Sequence, residues 1–180
     1  MRRKRAQRRA GRTRGAVWIA TAGACVALAC FPDVARTDVV PPAEAPDFAL
    51  KALDGRNYRL SEYRGEVVAL VFWASWCGGC RRELERLERL QGTYGEAGLK
   101  VLGVILDEAP DDARGVADGI GAGFPQLHDA AKSVSRVYRP ASLPATLLIG
   151  RDGGVRYRYG ELDSRAERAM LGELRRLLDE

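Results

Sequence analysis

Two of the chain's four cysteines, Cys77 and Cys80, stand three apart in "WCGGC". Such a pair can be half a zinc site, a haem attachment, an inert cross-link or a redox dithiol. A structural zinc site needs four ligands, and the chain offers only Cys25, Cys30 and His128 besides this pair. Both of those thiols fall in an apolar N-terminal run. Haem attachment wants a His directly after the second Cys, and Arg81 occupies that place. An inert disulfide fits an oxidising compartment, but so short a loop removes little chain entropy. The redox dithiol remains.

Its chemistry depends on what holds it. "EVVALVFWA", residues 66–74, is a continuous apolar run of the kind that forms a strand buried on both faces. From Cys80 to Tyr94 the period changes, with Leu84, Leu87, Leu90 and Tyr94 forming one apolar stripe and Glu85 and Arg89 paired on the other side. Cys77 thus falls where a strand ends and a helix begins. A thiolate there faces unpaired N–H groups and the positive end of the helix dipole, which can lower a thiol pKa from about 8.5 into roughly the 3.5–7.5 range. The placement predicts Cys77 as nucleophile and Cys80, one turn inside, as the resolving thiol. Gly78 and Gly79 would leave the local N–H groups unobstructed, while glycine costs a helix about 1 kcal/mol per position against alanine.

The remaining body reads as alternating elements. "DFALKALDGRNYRLSEYRG" predicts two short strands around a turn at Asp54-Gly55. "LKVLGVILDE" predicts a second buried strand, "PDDARGVADGIGAG" a glycine-interrupted helix, and "DAAKSVSRVY" a helix capped by Asp129. "ATLLIG", the turn Asp152-Gly153-Gly154 and "VRYRYG" predict a hairpin, and an amphipathic helix begins near Ser164. The fold class is α/β, with a central mixed sheet flanked by helices.

The formal charge of +5 is concentrated at one end. Residues 1–14 carry eight of the 29 Lys/Arg and no acid, leaving 21 basic against 24 acidic residues in the remainder. The charge of the body therefore does not support a nucleic-acid groove. Residues 15–31 carry no charge, and a basic head before an apolar run is the pattern of an export signal or membrane anchor. At 17 residues the run meets the lower limit for a spanning helix, and its flank would stay cytoplasmic. Cleavage near residues 27–29, lipid attachment at Cys30 and retention as a span all remain open. A buried core helix behind a basic tail is the alternative. Residues 32–46 hold four prolines and three acids and are expected to be an extended linker. The organisation is therefore 1–31 signal or anchor, 32–46 linker, 47–180 catalytic-type domain.

"VVALVFWASWCGGCRRE" together with "SLPATLLIGRDGGV" resembles the thioredoxin superfamily, in particular the TlpA/ResA-type extracytoplasmic thiol–disulfide oxidoreductases. The resemblance covers roughly residues 47–180. It implies a thioredoxin-like fold with an N-terminal β-hairpin and a cis peptide at Leu143-Pro144. It also implies Pro144 against the dithiol and a free Leu143 backbone for a substrate strand. The residues themselves allow a trans Pro144 that only starts a strand. Glu83 matches the family's glutamate near the active site and could take the proton from Cys80; otherwise it is one more solvated charge in "RRELER". Trp73 is expected in the core and Trp76 beside the dithiol as an apolar contact for partner protein. Asp107 and Glu108 read as loop charges, and His128 is given no catalytic role.

Three positions depart from the family pattern. Gly79 replaces a proline, Val71 replaces a buried acid or Asn, and Glu85 stands where proline often kinks the helix. The activity implied by resemblance is disulfide exchange with protein thiols outside the cytoplasm, in the reductive direction, with apocytochrome c haem-site cysteines as a substrate and a membrane electron donor as partner. No cofactor or metal is called for. Two alternatives are a peroxiredoxin-type peroxidase, which would want Thr where Ala74 stands, and a copper-carrier module using His128.

Overall fold

The computed structural model describes residues 38–180. The basic head, the 15–31 run with its cleavage and Cys30 features, and residues 32–37 lie outside the described residues. In chain order the strands and helices are β1 (Asp38–Glu44), β2 (Ala49–Lys51), β3 (Asn57–Arg59), β4 (Val67–Trp73), α1 (Cys80–Tyr94), β5 (Leu99–Ile105), α2 (Pro110–Ile120), β6 (Gln126–His128), α3 (Ser133–Tyr138), β7 (Ala145–Ile149), β8 (Gly154–Tyr159) and α4 (Ser164–Asp179).

Strand β4 is buried at every residue because it has a sheet neighbour on each side and a packed layer on each face. It pairs parallel with β5 and antiparallel with β7. The sheet order is β1-β8-β7-β4-β5-β6, so the sheet is mixed, with the parallel strands β4, β5 and β6 at one side. Alternation along β4 splits the core. Val67, Ala69, Val71 and Trp73 face the layer of α1, α2 and α4, while Val68, Leu70 and Phe72 face α3 and the N-terminal hairpin. Leu84 and Leu87 of α1 are fully buried against the first face, each worth about 2 kcal/mol of transfer free energy. The β2–β3 hairpin joins β6 through an antiparallel bridge between Ala52 and Leu127.

The structure departs from the sequence expectations in three places. Part of the expected linker, Asp38–Glu44, lies antiparallel along β8 as the outermost strand. Its register shifts between Val39 and Ala43, where Pro41 and Pro42 sit; proline has no N–H for a ladder and is confined to margins and bulges. The helix expected over 129–138 starts only at Ser133, because Lys132 adopts a left-handed φ of 54°. Asp129 still caps it, accepting from the Ser135 N–H at 2.8 Å. Between these, the unanticipated β6 completes the sheet. Helix α4 starts where expected, since Asp163 accepts from the N–H groups of Arg165 and Ala166 at 2.9 and 2.7 Å.

Among the described residues, no helix is long and apolar enough to cross a membrane.

Candidate active site

The site is built where β4 runs out. Two parallel strands end together, and their following loops are stitched to each other. The Leu106 N–H donates to the Trp73 carbonyl at 2.9 Å, and the Ser75 N–H donates to Asp107 Oδ2 at 3.0 Å. The Ser75 hydroxyl donates to the same carboxylate. Asp107 is only 3% exposed, so it is a buried acid holding the loop two residues before Cys77, not the loop charge expected from sequence. Its own backbone carbonyl takes hydrogen bonds from His128 Nε2 at 3.0 Å and Lys132 Nζ at 3.3 Å. Below, Trp73 is fully buried and donates from Nε1 to Gln126 Oε1 at 2.9 Å. A Cβ at Gly103 would run into that amide, which is why β5 carries glycine there.

Cys77 and Cys80 form a disulfide. Cys77 is partly exposed, whereas Cys80, the first residue of α1, is 1% exposed and packed in the core. An incoming sulfur can therefore reach only the outer atom. No side chain caps α1: Gly79 is the N-cap and has an ordinary right-handed conformation. Neither intervening glycine is demanded by backbone strain. Beside Gly78 there is open space, whereas a Cβ at Gly79 would lie 2.9 Å from the Glu161 carboxyl carbon.

Glu83 lies one turn into α1 and is 2% exposed, so it is not a solvated member of a charge run. Its Oε1 accepts from the Thr146 hydroxyl at 2.8 Å, and its Oε2 pairs with Arg86. Arg86 in turn pairs with Glu167 of α4 at 3.0 Å. Burial pushes the Glu83 carboxyl above its ordinary range, and the Thr146 and Arg86 contacts offset this only in part. Thr146 is the cross-strand partner of Val71. The inward acid that β4 lacks is thus supplied from the helix and anchored by the strand beside it.

The Leu143-Pro144 peptide is cis. A shallow groove passes Cys77, bounded by Trp76, Leu106, Pro140 and Leu143. Trp76 is 71% exposed at its rim. The structure thus brings Cys77, Trp76 and Leu143 onto one surface. Pro144 is buried and does not line the groove, and Glu83 is enclosed within the core. Sequence reasoning missed Asp107, Gln126, Thr146 and Glu161. Only Asp107 had a signal, as an acid ending a strand parallel to the one that carries the dithiol.

A mixed sheet with a surface disulfide at a strand-to-helix junction and a cis-proline loop beside it defines a thioredoxin-like thiol–disulfide oxidoreductase. The chain belongs to the AhpC/TSA family, which it matches over residues 41–158. It is 36% identical over 121 residues to thiol-disulfide oxidoreductase ResA of Geobacillus thermodenitrificans, spanning 67% of this chain and 70% of that protein. It is 35% identical over 113 residues to thioredoxin-like protein YneN of Bacillus subtilis, spanning 61% and 65%. A crystal structure from Chlorobium tepidum assigned as thiol:disulfide interchange protein DsbE superposes with a TM-score of 0.73 at 31% identity, covering 78% of this chain and 99% of that one.

Proposed function

We propose that the chain is a reductant of protein disulfides outside the cytoplasm, with Cys77 attacking and Cys80 resolving. The observation that carries this is the asymmetry of the pair: an accessible outer sulfur and a sealed inner one at the same helix start. In the forward half-reaction the Cys77 thiolate attacks one sulfur of a substrate disulfide. A mixed disulfide forms, and the substrate's other sulfur leaves as a thiolate and takes up a proton. Cys80 then attacks Cys77, its proton passing to the Glu83 carboxylate. The second substrate thiol departs, and two electrons have moved from dithiol to substrate. The raised proton affinity of Glu83 suits it to accept that proton nearer neutrality.

Trp76 and Leu143 form the docking surface for the substrate segment, with Leu143's backbone offered for strand-like pairing and Pro144 fixing the loop behind it. Haem-site cysteines of apocytochrome c are the substrate we favour, by the resemblance of the dithiol segment to TlpA/ResA-type oxidoreductases. A thiol-based membrane electron donor would regenerate the dithiol, and the segment 1–31 would export or anchor the domain. A peroxidase reading lacks its hydroxyl donor, since the position three before Cys77 is the methyl side chain of Ala74. The copper reading would need His128, whose Nε2 is engaged by the Asp107 carbonyl.

The test is the equilibrium potential of the Cys77/Cys80 couple, paired with trapping on a Cys80→Ser variant offered a Cys-x-x-Cys-His peptide disulfide. A potential below roughly −200 mV, in the thioredoxin-like part of the range, and a Cys77-linked peptide adduct are expected. A potential near that of strong oxidants, or no adduct, would overturn the reductive reading.

A further inference from the structure

The loop between β8 and α4 places a charge directly beside Gly79, the residue before Cys80. Glu161 lies with its carboxyl carbon and Oε1 each 2.9 Å from where a Gly79 Cβ would stand. Gly79 is the N-cap of α1, so this carboxylate lies beside the helix start, at the residue two after Cys77. It caps no backbone N–H. Its partner is the Arg82 guanidinium, at 2.6 Å. Both side chains are exposed.

The other charges around the dithiol are engaged elsewhere. On α1, Glu83 is buried with Thr146 and Arg86, and Arg81 leans toward Glu85 at 3.9 Å. On the β5–α2 side, Asp107 holds Ser75, and Lys132 holds the Leu106 and Asp107 carbonyls. On the β8–α4 side, Asp163 caps α4. Glu161 and Arg82 are left as the opposed pair beside Gly79.

We propose that Glu161 is a potential-setting residue: admitted by the missing side chain of Gly79, its carboxylate disfavours the Cys77 thiolate and so favours the disulfide, and Arg82 moderates it. This rests on Cys77 being the attacking sulfur. A negative charge at the positive end of a helix opposes what the dipole does for a thiolate. Destabilising that thiolate makes the couple more reducing, the inverse of the stabilised reduced form that makes a strong oxidant. Gly79 is then explained by what it lets in. The glutamate would have to swing away from any larger residue at position 79.

The experiment uses the full-length chain and reads two quantities: the pH dependence of Cys77 alkylation by iodoacetamide, and the equilibrium constant with glutathione. Glu161→Gln should move the pH midpoint of alkylation down by about half a unit, a threefold change in the acid dissociation constant, as expected for exposed charges under salt screening. The same factor in the equilibrium constant is about 14 mV toward oxidising. Arg82→Gln should shift both quantities the opposite way. Gly79→Ala should act like Glu161→Gln in the native background and lose its effect in the Glu161→Gln background.

Unchanged alkylation midpoints and potentials in Glu161→Gln overturn the proposal. So does a shift of the same sign in Arg82→Gln, or a Gly79→Ala effect of equal size in both backgrounds. If Cys77 does not alkylate in any variant, the attacking-sulfur reading fails first, and the two failures are told apart.

Discussion

The Thr146 hydroxyl donates to Glu83 Oε1 at 2.8 Å, tying strand β7 to the first turn of α1 beneath the dithiol. The contact fixes one carboxylate oxygen, and Arg86 takes the other, so the carboxyl has a defined orientation within the core. A group meant only to be solvated would need neither.

Glu83→Gln should slow resolution of the mixed disulfide by on the order of 10- to 100-fold, the lower part of what a positioned general base supplies. Single-turnover kinetics on a preformed Cys77 adduct measure this step alone. The first attack, by Cys77, should change far less. Equal slowing of both steps would mean that Glu83 only supports the fold.

The same residue makes stability depend on pH. Burial sets the folded carboxyl above its ordinary 4.5, so the folded chain holds that proton more tightly than the unfolded chain. This contribution is complete below about pH 4.5 and is lost as pH rises through the raised folded value. Urea midpoints followed from acid to neutrality should therefore fall more steeply for the native chain than for Glu83→Gln. Parallel curves would count against a raised proton affinity.

Asp107→Ala frees the Ser75 N–H and hydroxyl at the loop preceding Cys77. Leaving such groups unpaired costs about 1–3 kcal/mol, readable as a lowered denaturation midpoint. Exchange should also slow, because the loop that aims Cys77 loses its anchor on the segment following β5. Asp107→Asn, which keeps acceptor capacity at one oxygen, should recover most of the stability.

Trp76→Ala should leave stability within about 0.5 kcal/mol, as expected for an exposed side chain, since the ring is 71% exposed. Its effect belongs on protein substrates: KM should rise while turnover of a small aromatic disulfide such as DTNB stays near native. A matching loss on the small disulfide would show that the indole acts on the sulfur and not on docking.

Much of this could be read from the chain. Helix α1 was legible at both ends because its leucines keep one period over fifteen residues, and β4 because Val and Phe run unbroken. Strand β6 was not, since three residues between Pro125 and the Asp129 cap show no period at all. The late start of α3 turns on one left-handed backbone angle at Lys132, which composition does not announce. The dithiol and its helix came from local order. Asp107, Thr146 and Glu161 act across the sheet and between loops, so their roles exist only once the strands have been placed side by side.

An oxidoreductase that exchanges disulfides with protein thiols meets other polypeptides, and open sheet edges would invite them to pair along its backbone ladders. Here one flank of the sheet is closed by β1, whose adjacent prolines offer no N–H to a newcomer. The opposite flank presents only three residues of β6, already bridged at Leu127 by the hairpin. Other chains thus find little template for ladder growth on either side of the sheet.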